Sequence, residues 1–177
     1  VGAQREAVEA VDPALVLNEV LKARAGELER RRAQVQVSGE FPMVACHQAY
    51  LRQVFDNLLS NAVKFSGDRP GLAINVVAER KGDRVRFSVA DNGLGIPAPQ
   101  RARVFDPFVR LNPGPVHGSG IGLTIVRRIV DLYGGQVWID ANAQGGCTVV
   151  FTIPVLGDFT KERPSVVELE DGLNRSI

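Results

Sequence analysis

The spacing of apolar residues predicts the helices of this chain. In residues 47–65 they recur at three- and four-residue steps, which indicates a long helix with one buried face. That face comprises Leu51, Val54, Phe55, Leu58, Leu59, Ala62 and Val63. An earlier helix is predicted at residues 14–32, behind Asp12 as a suitable N-cap, and a later one at residues 120–133. Only a short helical piece, near residues 100–104, is expected between them.

Apolar and polar residues alternate elsewhere, which predicts β-strands. One short strand is expected at residues 35–38. Two hairpins are expected, the first with strands at 72–80 and 84–91 and the second with strands at 136–140 and 147–153. This order of elements favours an α+β fold, a two-layer sandwich in which helices cover one face of a mainly antiparallel sheet. It lacks the regular β-α-β alternation of a Rossmann fold.

Composition narrows the class of protein. The 177 residues suffice for one hydrophobic core, and a net charge of +1 argues against a dedicated nucleic-acid binder. Cys46 and Cys147 lie far apart without a C-x-x-C motif, which argues against a disulfide scaffold or a structural zinc site. No apolar run approaches the ~20 residues of a membrane helix, and no leader pattern opens the sequence. We therefore expect a cytoplasmic domain without direct membrane contact, whether or not its parent protein is attached to a membrane.

Polar residues of the long helix form a stripe beside its buried face. At about 100° per residue, Gln53, Asn57, Asn61 and Lys64 fall close together. A solvated helix face explains such a stripe, but asparagines are poor helix formers and solvent exposure does not require them. Amide oxygens one turn apart, with a lysine nearby, are suited to a magnesium ion and a phosphate, because magnesium prefers oxygen ligands. Both interpretations stay open at this point.

Asp91 carries a second signal. It shares strand parity with Val85, Phe87 and Val89, so its carboxylate points to the face that the helices cover. A buried carboxylate is costly unless a donor satisfies it, and the exocyclic amine of a planar base is such a donor. The alternative is an aspartate that caps the end of its strand. Residues 92–119 follow as a long irregular segment, and such segments in compact domains are usually functional.

A glycine-rich segment precedes the last predicted helix. Gly118, Gly120 and Gly122 would leave backbone N–H groups free at the positive end of the helix dipole, where phosphate binds. An ordinary loop-to-helix junction is the alternative. The segment does not follow a strand and lacks the Gly-Lys-Ser/Thr ending, so it predicts neither a dinucleotide-binding turn nor a P-loop.

In this order, these segments resemble the catalytic ATP-binding domain (HATPase_c) of sensor histidine kinases, within the GHKL superfamily of Bergerat-fold ATPases and kinases. Residues 57–65 are similar to the N box of that family, 91–96 to the G1 box, 104–108 to the F box and 118–123 to the G2 box. Residues 145–154 resemble its closing hairpin. The resemblance covers most of the chain and implies the Bergerat fold, with helices on one face of a mixed, mainly antiparallel sheet.

The resemblance also assigns roles to individual residues. Asp91 is expected to accept from the adenine amino group, with Ile96 packed near the base. Asn61, with Asn57 beside it, is expected to coordinate Mg²⁺. The expected catalytic residues are Lys64, which would approach the phosphates, and Arg110, which would stabilise charge on the γ-phosphate. Further contacts to ATP are expected from Asn57, Asn61, Lys64, Gly93, Gly95, Phe108, Gly118, Ser119, Gly120, Ile121, Gly122, Leu123 and Thr148.

The activity that this resemblance implies is that of a protein-histidine kinase. Such a domain binds Mg-ATP and transfers the γ-phosphate to a histidine on a separate domain or subunit. Neither His47 nor His117 lies in an H-E-x-x sequence, so the phosphoacceptor is expected outside this chain. Two alternatives stay open: a nucleotide-responsive interaction module with little kinase activity, and a GHKL serine kinase or ATPase.

Domain boundaries and partners follow from the same resemblance. Residues 1–11 are expected to be the stub of a helix that leads from the dimerisation and phosphoacceptor helices. Residues 12–156 are expected to form the ATP-binding domain, and residues 157–177 a tail or linker. The expected partners are the phosphoacceptor helices and, indirectly, a response regulator.

Overall fold

The computed structural model describes residues 8–67, 71–109, 120–140, 142 and 145–157 of the chain, which contain seven strands and four α-helices. The strands are β1 (Glu9–Val11), β2 (Gln34–Gly39), β3 (Val44–Cys46), β4 (Ala73–Lys81), β5 (Arg84–Asp91), β6 (Val137–Asp140) and β7 (Thr148–Pro154). The helices are α1 (Pro13–Ala23), α2 (Ala25–Arg30), α3 (Gln48–Lys64) and α4 (Gly122–Leu132), with 3₁₀ turns at Ala98–Gln100 and Arg103–Phe105. Among these described helices, none has both the length and the apolar character needed to cross a bilayer.

The main sheet has five strands in the order β2-β4-β5-β7-β6. Three of its four pairings are antiparallel, whereas the edge strand β2 runs parallel to β4. A parallel pair needs a crossover connection, and the segment that contains β3 and α3 supplies it. The predicted α+β sandwich with a mixed, mainly antiparallel sheet is thus confirmed.

An aromatic cluster joins α3 to the sheet. Phe55 of α3 contacts Phe87 of β5 and Phe151 of β7, with ring centroids 5.7 and 5.8 Å apart, and the two strand residues stack at 4.9 Å. All three side chains are fully buried. Aromatic pairs in these geometries add about 0.5–1.5 kcal/mol each beyond their buried area. The cluster fixes the rotation of α3 about its axis, and therefore the direction in which its polar stripe points.

The first predicted helix is capped as expected but is not continuous. Asp12 accepts hydrogen bonds from the backbone N–H groups of the first turn, at 2.9 and 3.3 Å. Arg24, with φ −99° and ψ 5°, then separates α1 from α2. Its guanidinium bonds both carboxylate oxygens of Asp56 on α3, at 2.8 and 3.0 Å, and also Glu27 at 2.6 Å. The residue at the break between α1 and α2 is therefore bonded to α3.

The N-terminal residues differ from the expectation. Glu9–Val11 form β1, which pairs antiparallel with β3, so the prediction of a helical stub is wrong for these residues; residues 1–7 lie outside the described part. Val155, just after β7, bridges to Val44 of β3. A strand of three residues is too short to show an alternating pattern, which is why neither β1 nor β3 was predicted.

Candidate functional site

A cavity of about 360 Å³ lies between α3, α4 and the neighbouring ends of β5 and β7. Its apolar lining includes Leu58, Val89, Ile125 and Val149. The predicted site residues that line it are Asn57, Asn61, Lys64, Asp91, Gly95, Ile96, Gly120, Ile121, Gly122 and Leu123. Small-ligand cavities usually have volumes of about 300–1,000 Å³. The fold therefore brings together the polar stripe of α3, the segment that begins at Asp91 and the glycine-rich segment before α4, which lie far apart in the sequence.

Asp91, the last residue of β5, places a half-buried carboxylate in this cavity. Its Oδ1 accepts hydrogen bonds from the backbone N–H groups of Gly93, at 2.8 Å, and Cys147, at 3.3 Å. Within the described residues, Oδ2 has no hydrogen-bond partner in the protein. Burial raises the pKa of the Asp91 carboxyl above its ordinary 3.8, although the two N–H bonds act in the opposite direction. The carboxylate thus has one oxygen held by the backbone and one available to a ligand.

The segment between β6 and β7 holds the main chain of Asp91. The Asp91 N–H donates to the carbonyl of Cys147 at 2.8 Å, and Asn142 Nδ2 donates to the Asp91 carbonyl at 2.9 Å. A Cβ on Gly146 would lie 2.0 Å from that same carbonyl oxygen, so only glycine fits there. Neither Asn142 nor Cys147 was predicted as a site residue. For Asn142 the sequence carries no signal, since its contact crosses 51 positions of chain.

The two glycines after Asp91 are needed for contacts within the protein. A Cβ on Gly93 would lie 2.3 Å from the carbonyl oxygen of Phe65, which also accepts the N–H of Leu94 at 2.9 Å. Gly95 has φ +74°, and a Cβ there would lie 2.7 Å from the Gly146 carbonyl oxygen. Gly93 is not part of the cavity lining, so the structure gives no support to its predicted contact with ATP; it lies instead against the end of α3.

Ile96, which is predicted to pack near the base, lines the cavity, and its backbone is fixed by a hydrogen bond. Its carbonyl accepts a hydrogen bond from Arg101 Nε at 3.1 Å. Arg101 is partly buried and was not predicted as part of the site. Arg101 thereby holds the backbone at Ile96, in the segment that follows β5.

The polar stripe of α3 faces the first turn of α4. A Cβ on Gly122 would lie 3.1 Å from Asn57 Oδ1 and 3.8 Å from Asn61 Oδ1, so both amide oxygens point toward the same spot. Asn57 Nδ2 donates to the Gln53 carbonyl at 2.9 Å, which turns its oxygen away from its own helix. Lys64 lies exposed in the last turn of α3, at the rim of the cavity. The two amide oxygens and the Lys64 side chain thus lie on the part of α3 that lines the cavity.

The first turn of α4 offers backbone donors to the cavity. Ile121 stands at its N-cap and makes no side-chain capping bond. The first N–H groups of a helix have no acceptor within the helix, and those of Gly122 and Leu123 are among them. They lie at the positive end of the helix dipole and suit an anion. The predicted start at Gly120 is two residues early, because Gly120 has φ +69° and is not helical.

Two predicted contact residues lie away from the cavity. Phe108 is 76% exposed with φ +61°, and a Cβ on Gly120 would lie 3.3 Å from its Cα. Thr148 pairs with Ala90 across the sheet and projects to the opposite face, because side chains alternate along a strand. Cys147 lines the cavity instead. The structure therefore gives no support to the predicted nucleotide contacts of Phe108 and Thr148.

Cys147 adds a thiol next to Asp91. Burial, together with the nearby Asp91 carboxylate, raises the pKa of this thiol to about 12. The sulfur therefore stays protonated at neutral pH and acts as a small, weakly polar part of the lining. The remaining predicted residues, Arg110, Gly118 and Ser119, lie outside the described part of the chain.

Comparisons with known proteins agree with this geometry. The profile of the histidine kinase-, DNA gyrase B-, and HSP90-like ATPase family matches residues 46–157. The chain is 37% identical over 139 residues to the methanogenesis regulatory histidine kinase FilI of Methanothrix harundinacea, and 36% identical over 141 residues to the phytochrome-like protein Cph1 of Synechocystis sp.. The alignments cover 78% and 79% of this chain but only 16% and 19% of those proteins.

Solved structures show the same fold. The mycobacterial sensor histidine kinase MprB superposes with a TM-score of 0.72 at 29% identity, over 83% of this chain and 97% of that one. Full-length ShkA, solved in complex with AMPPNP, gives 0.73 at 29% identity, over 86% of this chain and 32% of that one. The protein belongs to the histidine kinase-, DNA gyrase B-, and HSP90-like ATPase family, and within it to the catalytic ATP-binding domains of sensor histidine kinases.

Proposed function

We propose that this domain binds Mg-ATP and transfers the γ-phosphate to a histidine on a separate domain or subunit. The observation that carries the proposal is the arrangement of the cavity. One end holds a carboxylate oxygen that has no hydrogen-bond partner among the described residues, and the other holds two amide oxygens that face the start of a helix. An adenine nucleotide has a donor at one end and phosphates at the other, so it complements both ends.

The base is proposed to bind at the Asp91 end. The 6-amino group of adenine would donate to Asp91 Oδ2, while Ile96 and Val149 pack against the ring. A guanine base carries a carbonyl at that position and would present an acceptor to an acceptor. A missing or reversed hydrogen bond in a buried site costs much affinity. This end therefore selects adenine.

The phosphates and the metal are proposed to bind between α3 and α4. The amide oxygens of Asn57 and Asn61 fit Mg²⁺, which prefers oxygen ligands and is completed by substrate phosphates and water. When bound, this ion neutralises charge on the phosphates. The N–H groups of Gly122 and Leu123 and the ammonium group of Lys64 would bind the phosphate oxygens. Arg110, Gly118 and Ser119 are proposed to contribute from outside the described residues.

Transfer is proposed to depend on positioning and electrostatics. The bond between the γ-phosphorus and its bridging oxygen breaks as a bond to an imidazole nitrogen forms, so the domain needs no nucleophile of its own. Lys64 and Arg110 would stabilise charge on the transferred group. His47 caps α3 by accepting from the Ala49 N–H, which gives it a structural role.

The partners follow from this chemistry. Phosphoacceptor helices of the same or a parent protein would present the histidine, and a response regulator would receive the phosphate from them. The named relatives, which are histidine kinases or a phytochrome-like protein, support this assignment. That the related ShkA was solved in complex with AMPPNP supports nucleotide binding by this domain. The two free cysteines, Cys46 and Cys147, agree with operation in the reducing cytoplasm.

Calorimetric titration and a transfer assay test the proposal together. ATP and GTP are titrated with and without Mg²⁺, and labelled ATP is then supplied with the phosphoacceptor helices of a related histidine kinase. We expect ATP to bind in preference to GTP, more tightly with Mg²⁺, and to give an acid-labile, alkali-stable phosphate on the acceptor. The variant Arg110→Ala should lose transfer rate while keeping most of its affinity for ATP.

Other outcomes identify the alternatives. An acid-stable phosphoserine on an added partner would indicate a serine kinase. Phosphate release without an acceptor would indicate an ATPase. Binding with no transfer to any acceptor would favour an interaction module that responds to nucleotide. No binding of ATP by the folded protein would overturn the proposal.

A further inference from the structure

Asn142 contacts the residue proposed to recognise the base, although it lies far from it in sequence. Its Nδ2 donates to the backbone carbonyl of Asp91 at 2.9 Å, and its own backbone carbonyl accepts the N–H of Gly145 at 3.2 Å. Asn142 starts the turn between β6 and β7, whose described residues are 142 and 145–147, and Cys147 at the end of this turn lines the cavity. The Asn142 side chain is partly buried within this turn.

The same turn supplies a hydrogen bond to the Asp91 carboxylate. After the Gly145 and Gly146 pair, the Cys147 N–H reaches Asp91 Oδ1 at 3.3 Å, and the Cys147 carbonyl accepts the Asp91 N–H at 2.8 Å. Three groups of Asp91 are therefore held from this turn: its N–H, its carbonyl and Oδ1. On the turn's side of these bonds, Asn142 contributes a side chain, whereas Cys147 contributes backbone groups.

The direction of Asp91 Oδ2 depends on these bonds. With Oδ1 held by the N–H groups of Gly93 and Cys147, the carboxylate cannot rotate without losing both bonds. The Cys147 bond is the longer of the two and comes from a turn with two glycines of positive φ, at +74° and +94°. Glycine adds freedom to a turn, so a side-chain bond that fixes the turn to Asp91 limits its movement.

We propose that Asn142 is a positioning residue that aims Asp91 Oδ2 at the 6-amino group of adenine. The inference rests on the proposed function, since it needs adenine in the cavity. Asn142 acts through the backbone of Asp91 and the Cys147 N–H, and it does not touch the nucleotide. Its contribution therefore belongs to the 6-amino contact and not to the rest of the ligand.

A comparison of two nucleotides isolates this contribution. Affinities for ATP and for purine riboside triphosphate, which lacks the 6-amino group, are measured for the wild type, Asn142→Ala and the control Asn18→Ala. Asn18 is exposed on α1, far from the cavity. We expect Asn142→Ala to lower the affinity for ATP about fivefold, which corresponds to the loss of one neutral hydrogen bond. The affinity for the analogue should stay unchanged. The control should keep the wild-type preference for ATP.

A second measurement needs no nucleotide. The carbon-13 shift of the Asp91 carboxyl is followed by NMR as a function of pH in the same three proteins. The N–H bond from Cys147 lowers the pKa of Asp91, so a looser turn should raise that pKa further in Asn142→Ala and not in Asn18→Ala.

The outcomes separate this inference from the proposed function. An equal loss of affinity for both nucleotides would leave the preference for ATP unchanged, which would make Asn142 merely structural and overturn the positioning role. Unchanged affinities for both nucleotides would overturn it as well. An unchanged pKa of Asp91 would also overturn it. If the wild type bound neither nucleotide, the proposed function would be overturned, and the positioning role with it.

Discussion

The two ends of the cavity are built in different ways. At the Asp91 end, backbone groups of three segments approach each other so closely that Gly93, Gly95 and Gly146 have no room for a side chain. At the other end, between α3 and α4, the functional atoms belong to side chains such as Asn57 and Lys64, and to N–H groups at an uncapped helix end.

This difference indicates how each end works. A carboxylate held by backbone bonds is already oriented before a ligand arrives, which favours selectivity for one base. Side-chain oxygens and free N–H groups depend on a ligand and a cation to complete their interactions. The Asp91 end should therefore be sensitive to changes in backbone and shape, and the α3–α4 end to changes in charge and metal concentration.

The largest effect is expected from Gly146→Ala, which attacks the tight backbone packing directly. Its φ of +94° is unfavourable for alanine, and the new Cβ would lie 2.0 Å from the Asp91 carbonyl oxygen. Steric overpacking and left-handed backbone together should lower the free energy of unfolding by about 3 kcal/mol. Denaturant unfolding measures this change.

Gly82→Ala is the matched control for that experiment. Gly82 has φ +62° in the β4–β5 turn, but a Cβ there would meet nothing within 4 Å. Its cost should therefore be only about 1 kcal/mol, from the backbone alone. An equal loss of unfolding free energy in the two variants would contradict the close packing of Gly146 against the Asp91 carbonyl.

Asp91→Asn should have the next largest effect, on binding. The amide keeps an oxygen for the N–H groups of Gly93 and Cys147, but it places an NH₂ group opposite the amino group of adenine. We expect ATP affinity to fall about 30-fold while the fold is retained, as measured by calorimetry. ADP should be weakened equally, since the change concerns the base alone; a loss confined to ATP would contradict the assignment.

The same variant should be more stable than the wild type at neutral pH. Burial raises the pKa of Asp91 in the folded state above 3.8, so just above that pH the folded protein binds more protons than the unfolded chain. Stability from this group is therefore present at low pH and is lost as pH rises through the folded pKa. Asp91→Asn removes the ionised group, so its melting temperature should exceed that of the wild type at pH 7 and not below pH 3.8.

Asn61→Ala should have the smallest of these effects and should act only at the α3–α4 end. Loss of one proposed oxygen ligand should reduce the affinity for ATP about tenfold in the presence of Mg²⁺ and hardly at all in its absence. Titrations with and without the ion measure both values. Gln53→Ala, on the same stripe but outside the cavity lining, serves as the control and should change neither.

Local patterns predicted much of this fold, and long-range pairing accounts for what they missed. The predicted helix at 47–65 is α3, Gln48–Lys64, because strong periodicity and caps at both ends define it locally. β1 and β3 have three residues each and are defined by pairing with distant parts of the chain, β1 with β3 and β3 also with Val155. The parallel alignment of β2 with β4 is likewise set by the crossover through α3, which no local pattern shows.

The same distinction holds within the site. Asn57, Asn61 and Asp91 were predicted because helix periodicity and strand parity place them on the inner face. Parity also contained an unused signal: Cys147 alternates with Val149, which lines the cavity, so Cys147 belongs to the cavity face and Thr148 to the other face. Asn142 could not be found in this way, since a turn has no period that relates it to β5.

The contact between Phe108 and Gly120 has a consequence for how this domain can vary. These residues flank the segment 110–119, and a Cβ on Gly120 would lie 3.3 Å from the Phe108 Cα, so the two ends of the segment lie close together. Lengthening a loop whose ends are already joined is inexpensive, at about 0.6 kcal/mol for each doubling. A longer or shorter segment between these two residues should therefore fit the same fold at little cost in stability.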